Sequence, residues 1–169
     1  MIKLVKLNKY FPKKQMIIVG IGDFKVASNP KILATYALGS CVAIILYNNF
    51  LRKGALIHAM LPAPRSSSPD NPLKYVVTSV PLALSKLSEI GVSKRNLVAA
   101  LIGGANILRH STMMNIGERN VKMAKEVLRK ENIPIVAEDV GGFSSRSVFF
   151  DLEEAVIYVT SPKKMHLFS

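Results

Sequence analysis

The chain has 169 residues, of which 49% are hydrophobic and 20% charged, and a formal net charge of +12 at pH 7. This length and hydrophobic fraction predict one folded domain and exclude a disordered chain, which would be poorer in apolar residues. No stretch approaches the roughly 18 uninterrupted apolar residues of a membrane span, and lysines interrupt the N-terminal segment too often for a signal peptide. We therefore expect a cytoplasmic protein, not embedded in a membrane, with a basic arm over residues 1–14 and a single domain over residues 15–169.

The positive charge favours acidic partners but does not choose among them. Lys and Arg are scattered along the chain, and aromatic residues make up only 7%. Modules that bind nucleic acids combine basic and aromatic residues in recognisable motifs, which this chain lacks. A solvated basic surface is therefore expected, and a nucleic-acid partner is disfavoured.

The first third of the chain is rich in predicted strands. Residues 15–27 have the β-branched content of one strand, and residues 28–31 form a turn. Two apolar runs, CVAIILY at 41–47 and ALIHAML at 55–61, flank a turn-forming segment and predict a β-hairpin. Both runs are apolar at odd and even positions alike, so both faces of the hairpin should be covered.

The rest of the chain mixes helices and strands. Residues 62–72 contain four prolines and three serines and predict an irregular exposed loop. Apolar spacing predicts helices at 72–91, capped by Asp70 or Asn71, and at 116–133. Further strands are predicted at 96–106, 134–142, 147–152 and 155–160. The order indicates the α+β class, a mixed α/β layered sandwich with a strand-rich core and two main helices.

Cys41 is the only cysteine, and it stands between a Leu-Gly-Ser segment and an apolar run. A lone cysteine in an intracellular chain that also contains histidines raises the question of a catalytic thiol. If the hairpin turn is centred on Asn49 and Phe50, Cys41 lies opposite His58, with Cβ atoms about 4.5–5.5 Å apart. An imidazole at that distance can activate a thiol. A cysteine at the head of an apolar strand is nevertheless more often a small core residue, so both interpretations stay open.

Other residues near this pair are candidates for supporting roles. Gly39 and Ser40 would bring backbone N–H groups to an oxyanion, and Thr35 or Ser40 could orient the imidazole. Two further histidines, His110 after a Gly-Gly turn and His166 in a basic tail, are interpreted as surface residues. The spacing of the three histidines and one cysteine matches no metal-ligand motif, so neither a metal nor a cofactor is expected.

Six ordered segments between residues 18 and 160 resemble one family of proteins. They are ALGSCVAIILY, GALIHAMLP, KY at 74–75, IGGAN, IGERN and AEDVGG. Together they resemble the CheD family, the chemoreceptor glutamine deamidases of bacterial and archaeal chemotaxis. The histidine of the second segment follows the cysteine of the first by 17 positions, from Cys41 to His58. This resemblance favours the catalytic interpretation of the pair.

The resemblance implies a protein-glutamine glutaminase, which hydrolyses receptor glutamine side chains to glutamate and ammonia. It implies that Cys41 is the nucleophile, that His58 is the general base and then the acid, and that Thr35 orients the imidazole. Ser40 and Gly39 would lie at the oxyanion. The implied partners are the cytoplasmic domains of chemoreceptors as substrate and a CheC-type phosphatase as regulator. A receptor methylesterase side activity is compatible with the same chemistry.

Two positions depart from the family pattern. Ser145 precedes Arg146 where the family commonly has Gly, and two glutamates occupy a turn at 153–154 where Gly is common. The first departure leaves the role of Arg146 open. The main alternative function is a non-catalytic chemotaxis adaptor that binds CheC or receptors. The intact Thr, Cys and His set argues against it, because binding alone needs no reactive thiol.

Overall fold

The computed structural model describes residues 1–6, 13–108 and 115–162, and within these ranges it contains ten strands and two α-helices. The strands are β1 (Lys3–Lys6), β2 (Met16–Ile18), β3 (Asp23–Ser28), β4 (Ile32–Leu38), β5 (Val42–Asn48), β6 (Lys53–Ala59), β7 (Val98–Gly103), β8 (Ile135–Val140), β9 (Arg146–Asp151) and β10 (Val156–Thr160). The helices are α1 (Val76–Glu89) and α2 (Ile116–Lys130). The α+β class is confirmed.

The strands form two five-stranded sheets. Sheet A has the order β1-β10-β9-β4-β2, and sheet B has the order β3-β6-β5-β7-β8. Helix α1 packs on β6 and helix α2 on β7, both on sheet B. The molecule is therefore a sandwich of three layers, with sheet B between sheet A and the two helices.

Strand β5 shows why the middle layer is so apolar. All seven of its residues are buried. The odd-numbered residues from Ala43 to Tyr47 enter a hydrophobic cluster between the two sheets, and the even-numbered residues from Val42 to Leu46 enter a second cluster beneath the helices. Tyr47 also joins the sheets, because its hydroxyl donates a hydrogen bond of 2.7 Å to the Leu152 carbonyl. The expectation that both faces of the hairpin are covered is confirmed.

The predicted hairpin of β5 and β6 is also confirmed, but its predicted register is wrong by two residues. His58 lies opposite Ala43, not opposite Cys41. The connecting loop covers residues 49–52, and the side-chain oxygen of Asn48 accepts hydrogen bonds from two backbone N–H groups in it. This loop is centred one residue later than the predicted turn. A shift of two residues keeps each side chain on its predicted face of the sheet.

The single strand predicted over residues 15–27 is wrong, because this segment forms two strands in different sheets. Strand β2 runs parallel to β4 in sheet A, whereas β3 runs antiparallel to β6 in sheet B. The chain crosses between the sheets at residues 19–22, where Gly22 has a φ of +67° that favours glycine. This crossing brings the carbonyl of Val19 to the interface of the two sheets, next to β4.

The remaining elements agree with the predictions apart from their ends. The turn at 28–31, the two helices and the four later strands are confirmed. The first helix begins later than predicted, at Val76, because Asn71 caps a separate 3-10 turn at Pro72–Lys74. Part of the predicted N-terminal arm is the strand β1, which pairs with β10. No helix in the described ranges is both long and apolar enough to cross a membrane.

Candidate active site

A buried hydrogen bond between the two sheets joins two of the predicted site residues. Thr35 on β4 and His58 on β6 are both fully buried, and Thr35 Oγ1 lies 2.7 Å from His58 Nδ1. Thr35 Oγ1 also donates a hydrogen bond of 2.8 Å to the Val19 carbonyl. A hydroxyl has one hydrogen, so the hydrogen shared with His58 must come from Nδ1. The contact therefore places the proton of neutral His58 on Nδ1 and leaves a lone pair on Nε2.

The second ring nitrogen of His58 is free to act on another group. His58 Nε2 is buried and has no hydrogen-bond partner among the described residues. Burial lowers the pKa of His58 from 6.5 to about 4. The ring is therefore neutral at pH 7, and Nε2 can accept a proton there.

Cys41 lies at the same interface of the two sheets. It immediately precedes β5, is half-buried, and packs against the hydrophobic cluster between the sheets. Ala43, two residues later, pairs with His58, so the thiol and the imidazole occupy the same face of sheet B. In the observed register Cys41 is diagonal to His58, not directly opposite it as predicted. Burial raises the pKa of the Cys41 thiol, and a hydrogen bond with its own backbone opposes that change only in part.

The backbone around the cysteine is held by its carbonyl groups. We call residues 39–41 the nucleophile loop, after the nucleophile that the sequence predicts at Cys41. Its three successive carbonyls accept hydrogen bonds from Ala105 N–H at 2.8 Å, from Asn120 Nδ2 at 2.9 Å and from Gly104 N–H at 2.7 Å. Within the described residues, no protein acceptor takes the backbone N–H of Ser40. That N–H is therefore free to donate to a ligand, and the role of Ser40 and Gly39 at an oxyanion stays a prediction.

The Gly-Gly turn after β7 makes this anchoring possible. Gly103 has a φ of +106°, and a Cβ there would lie 2.5 Å from the Cys41 carbonyl oxygen. A Cβ at Gly104 would overlap the Val121 side chain of α2. Both glycines are thus required for close approach of the chain to the nucleophile loop and to α2. A Gly-Gly turn is predicted here from the sequence, but its contacts with the nucleophile loop and with α2 are not.

Asn120, which binds the nucleophile loop from α2, is not among the site residues predicted from the sequence. The available signal was its position on the buried stripe of an amphipathic helix. The buried residues of α2 are Gly117, Asn120, Ala124 and Leu128. A polar side chain in such a stripe must find hydrogen-bond partners, and this one finds them at the candidate site.

Arg146, whose role the sequence left open, is not part of this arrangement. Arg146 is bound to Asp139 at 3.0 Å and to the Gly141 carbonyl at 2.9 Å, so it holds the turn between β8 and β9. His110 and His166 lie outside the described residues. In the described ranges, no group of three or more His, Cys, Asp or Glu side chains is arranged to hold a metal ion.

The chemistry open to these groups is attack by a thiol on a carbonyl carbon. A neutral imidazole can take the thiol proton, a hydroxyl holds that imidazole in one tautomer, and a backbone N–H can stabilise the resulting oxyanion. Hydrolases that form a thioester with a cysteine use groups of these types.

Comparisons with known proteins identify the family of this chain. The family model described as CheD chemotactic sensory transduction matches residues 60–161. A probable chemoreceptor glutamine deamidase CheD from Pyrococcus abyssi is 46% identical over 139 residues, which cover 80% of this chain and 85% of that protein. A protein of the same name from Clostridium novyi is 39% identical over 150 residues, which cover 86% of this chain and 93% of that protein. The chain belongs to the CheD family.

The low pKa of His58 makes a testable contribution to stability. The unfolded chain binds a proton at His58 below about pH 6.5, whereas the folded chain does so only near pH 4. The free energy of unfolding should therefore fall as the pH drops from 6.5 towards 4, by up to roughly 3 kcal/mol from this group. Urea unfolding of the wild type and of His58→Gln at pH 7 and pH 4.5 measures it. We expect the free energy of unfolding to fall less between pH 7 and pH 4.5 in the variant than in the wild type. An equal fall in both proteins would contradict a buried neutral histidine at position 58.

Proposed function

We propose that this protein deamidates specific glutamine side chains of methyl-accepting chemoreceptors, in chemotaxis adaptation. The observation that carries the proposal is the Thr35–His58 hydrogen bond, which leaves the Nε2 lone pair free at the face shared with Cys41. Membership of the CheD family supports the substrate, because the relatives are named as probable chemoreceptor glutamine deamidases.

In the first step the thiol attacks the amide carbon of the glutamine side chain. Because burial keeps both Cys41 and His58 neutral at rest, His58 Nε2 takes the thiol proton as the C–S bond forms. The carbonyl π electrons move onto oxygen, and the oxyanion accepts hydrogen bonds from the Ser40 N–H and the adjoining backbone of Gly39 and Cys41.

In the second step the tetrahedral intermediate loses ammonia and leaves a thioester. The imidazolium of His58 donates its Nε2 proton to the leaving nitrogen, and its lowered pKa makes it a strong acid for this purpose. A water molecule then gives a proton to Nε2 and attacks the thioester carbon. Cleavage of the C–S bond returns the proton to Cys41 and releases glutamate. Thr35 Oγ1 accepts a hydrogen bond from the Nδ1–H group throughout both steps.

The direct test is conversion of receptor glutamine to glutamate, which adds about 1 Da to a peptide. The protein is incubated with the cytoplasmic region of a cognate receptor, and tryptic peptides are analysed by mass spectrometry. We expect conversion by the wild type and none by Cys41→Ala. Undiminished conversion by Cys41→Ala would contradict the nucleophile. No conversion on any cognate receptor, with binding to CheC retained, would favour the adaptor.

The role of Thr35 predicts a difference between two conservative variants. Thr35→Val keeps the shape but leaves the buried Nδ1–H without an acceptor, so the tautomer and ring orientation are no longer held. We expect kcat for deamidation to fall roughly 10- to 100-fold. Thr35→Ser restores the hydroxyl and should retain most of the activity. Equal rates for the Val variant and the wild type would show that the hydroxyl does not support His58.

The basic charge supports an acidic receptor surface as the substrate. The exposed face of α2 carries Arg119, Lys122, Lys125 and Arg129. This helix contacts the nucleophile loop through Asn120, so its N-terminal half borders the candidate site. Receptor signalling domains of this family's substrates are expected to be glutamate-rich helical bundles, and such a surface would attract them.

Charge reversal on α2 tests this docking surface. Lys122→Glu should raise KM for the receptor several-fold at low salt, and the difference from the wild type should shrink as ionic strength rises. The matched control is Lys86→Glu on α1. Lys86 lies in the last turn of α1. The Lys53 side chain, next to the hairpin loop, donates a hydrogen bond to the Ile90 carbonyl at this end of the helix, which is away from His58. Equal effects of the two reversals, or rates indifferent to salt, would refute docking on α2.

Two finer properties belong to the same proposal. The thioester route also accommodates a glutamate methyl ester, since methanol can replace ammonia as the leaving group. Methanol release from methylated receptor by the wild type and not by Cys41→Ala would support a methylesterase side activity.

A CheC-type phosphatase is the proposed regulatory partner, and slower deamidation in its presence is the expected result. Deamidation unaffected by saturating CheC would contradict that regulation.

A further inference from the structure

A single side-chain amide links the two segments that carry Cys41 and His58. Asn120 on α2 is fully buried, and its Nδ2 donates hydrogen bonds to the Ser40 carbonyl at 2.9 Å and to the Met60 carbonyl at 2.8 Å. Ser40 directly precedes Cys41, and Met60 lies two residues after His58. Because both neighbours are carbonyl oxygens, only the NH₂ end of the amide can face them, so the orientation of Asn120 is determined.

The start of α2 is built to bring this amide close to the loop. A Cβ at Gly117 would lie 2.5 Å from the Gly104 carbonyl oxygen and 2.6 Å from that of Ala105. Glycine at this position therefore lets the helix backbone pack directly on the turn that also holds the nucleophile loop. Asn120 follows three residues later, on the same side of the helix.

The asparagine at position 120 is a polar residue that the helix packing by itself does not require. Its Oδ1 is buried without a hydrogen-bond partner among the described residues, which is unfavourable in a protein core. The other buried residues of the stripe below it, Ala124 and Leu128, are apolar. An apolar side chain at 120 would continue that stripe without an unpaired Oδ1, but it would leave the Ser40 and Met60 carbonyls without the Nδ2 donor. The residue is therefore better explained by what its Nδ2 group holds in place.

We propose that Asn120 is a positioning residue, which sets the separation of Cys41 from His58 by tying the nucleophile loop to the end of β6. Its role in turnover rests on the proposed function, whereas its effect on the thiol does not. Asn120 holds the segments on both sides of the reacting groups, so its loss changes the approach of sulfur to Nε2 without removing either group. The reaction step should therefore suffer more than receptor binding.

Two variants and one matched control test this role. Asn120→Asp keeps the shape but turns an acceptor towards two carbonyls, and Asn120→Ala removes the amide if the aspartate variant does not fold. The control is Asn115→Ala. Asn115 caps the same helix by accepting a hydrogen bond from the Glu118 N–H, so this change weakens α2 and leaves the Asn120 contacts in place. Thermal unfolding of each variant shows how much of the protein is folded during the assays.

The first readout is the rate at which iodoacetamide alkylates Cys41, which needs no receptor. Cys41 is the only cysteine of the chain, so the label reports on this thiol alone. We expect His58→Gln to slow alkylation at pH 7, and Asn120→Asp or Asn120→Ala to slow it to a similar extent. Adding either Asn120 change to His58→Gln should slow it no further, because the help from His58 is already lost. Asn115→Ala should react like the wild type.

The second readout is deamidation kinetics. The Asn120 variants should lower kcat roughly 10- to 100-fold while KM changes by less than about threefold. Wild-type alkylation rates in the Asn120 variants, or an equal loss in Asn115→Ala, would overturn the inference. An unchanged alkylation rate in His58→Gln would also overturn the inference. In that case His58 would not assist the Cys41 thiol, and Asn120 could not act by holding the two groups together. Alkylation that follows the expected pattern without conversion of any receptor glutamine would refute the proposed function and leave Asn120 as the positioning residue.

Discussion

The hydrogen bond between Thr35 and His58 is the interaction on which the site depends. It crosses the interface of the two sheets, and it is part of a chain that ends at the Val19 carbonyl. That chain has only one consistent assignment of hydrogens, so the fold itself determines which nitrogen of His58 is a base. The same contact requires sheet A and sheet B to pack in one register, which couples the chemistry of the imidazole to the packing of the whole sandwich.

Burial at this interface determines the resting state of the proposed pair. It lowers the pKa of His58 and raises that of Cys41, so the neutral thiol and neutral imidazole are favoured over a thiolate-imidazolium pair. A neutral pair reacts when an electrophile accepts the sulfur as the thiol proton moves to Nε2. Such a thiol reacts more slowly with electrophiles in water than a thiolate does. The arrangement favours selectivity for a docked substrate over high intrinsic reactivity.

The nucleophile loop is positioned by backbone carbonyls, so its N–H groups need not be used for structure. The Gly103-Gly104 turn and α2 supply the donors, and glycine is required where the chains meet at distances that a Cβ would block. In this way segments far apart in the chain converge on one cysteine. Among them, Asn120 is the side chain that reaches both the loop and the end of β6.

The sequence by itself determined the strand-rich α+β class, the hairpin with both faces covered, and the candidates Cys41, His58 and Thr35, because apolar periodicity and motif spacing are local properties of the chain. Only the tertiary structure decided the hairpin register, the division of residues 15–27 between two sheets, and the contact of Thr35 with His58 across them. The register depends on how one loop closes, and cross-sheet contacts depend on packing between elements distant in sequence. Neither is encoded in the spacing of nearby residues.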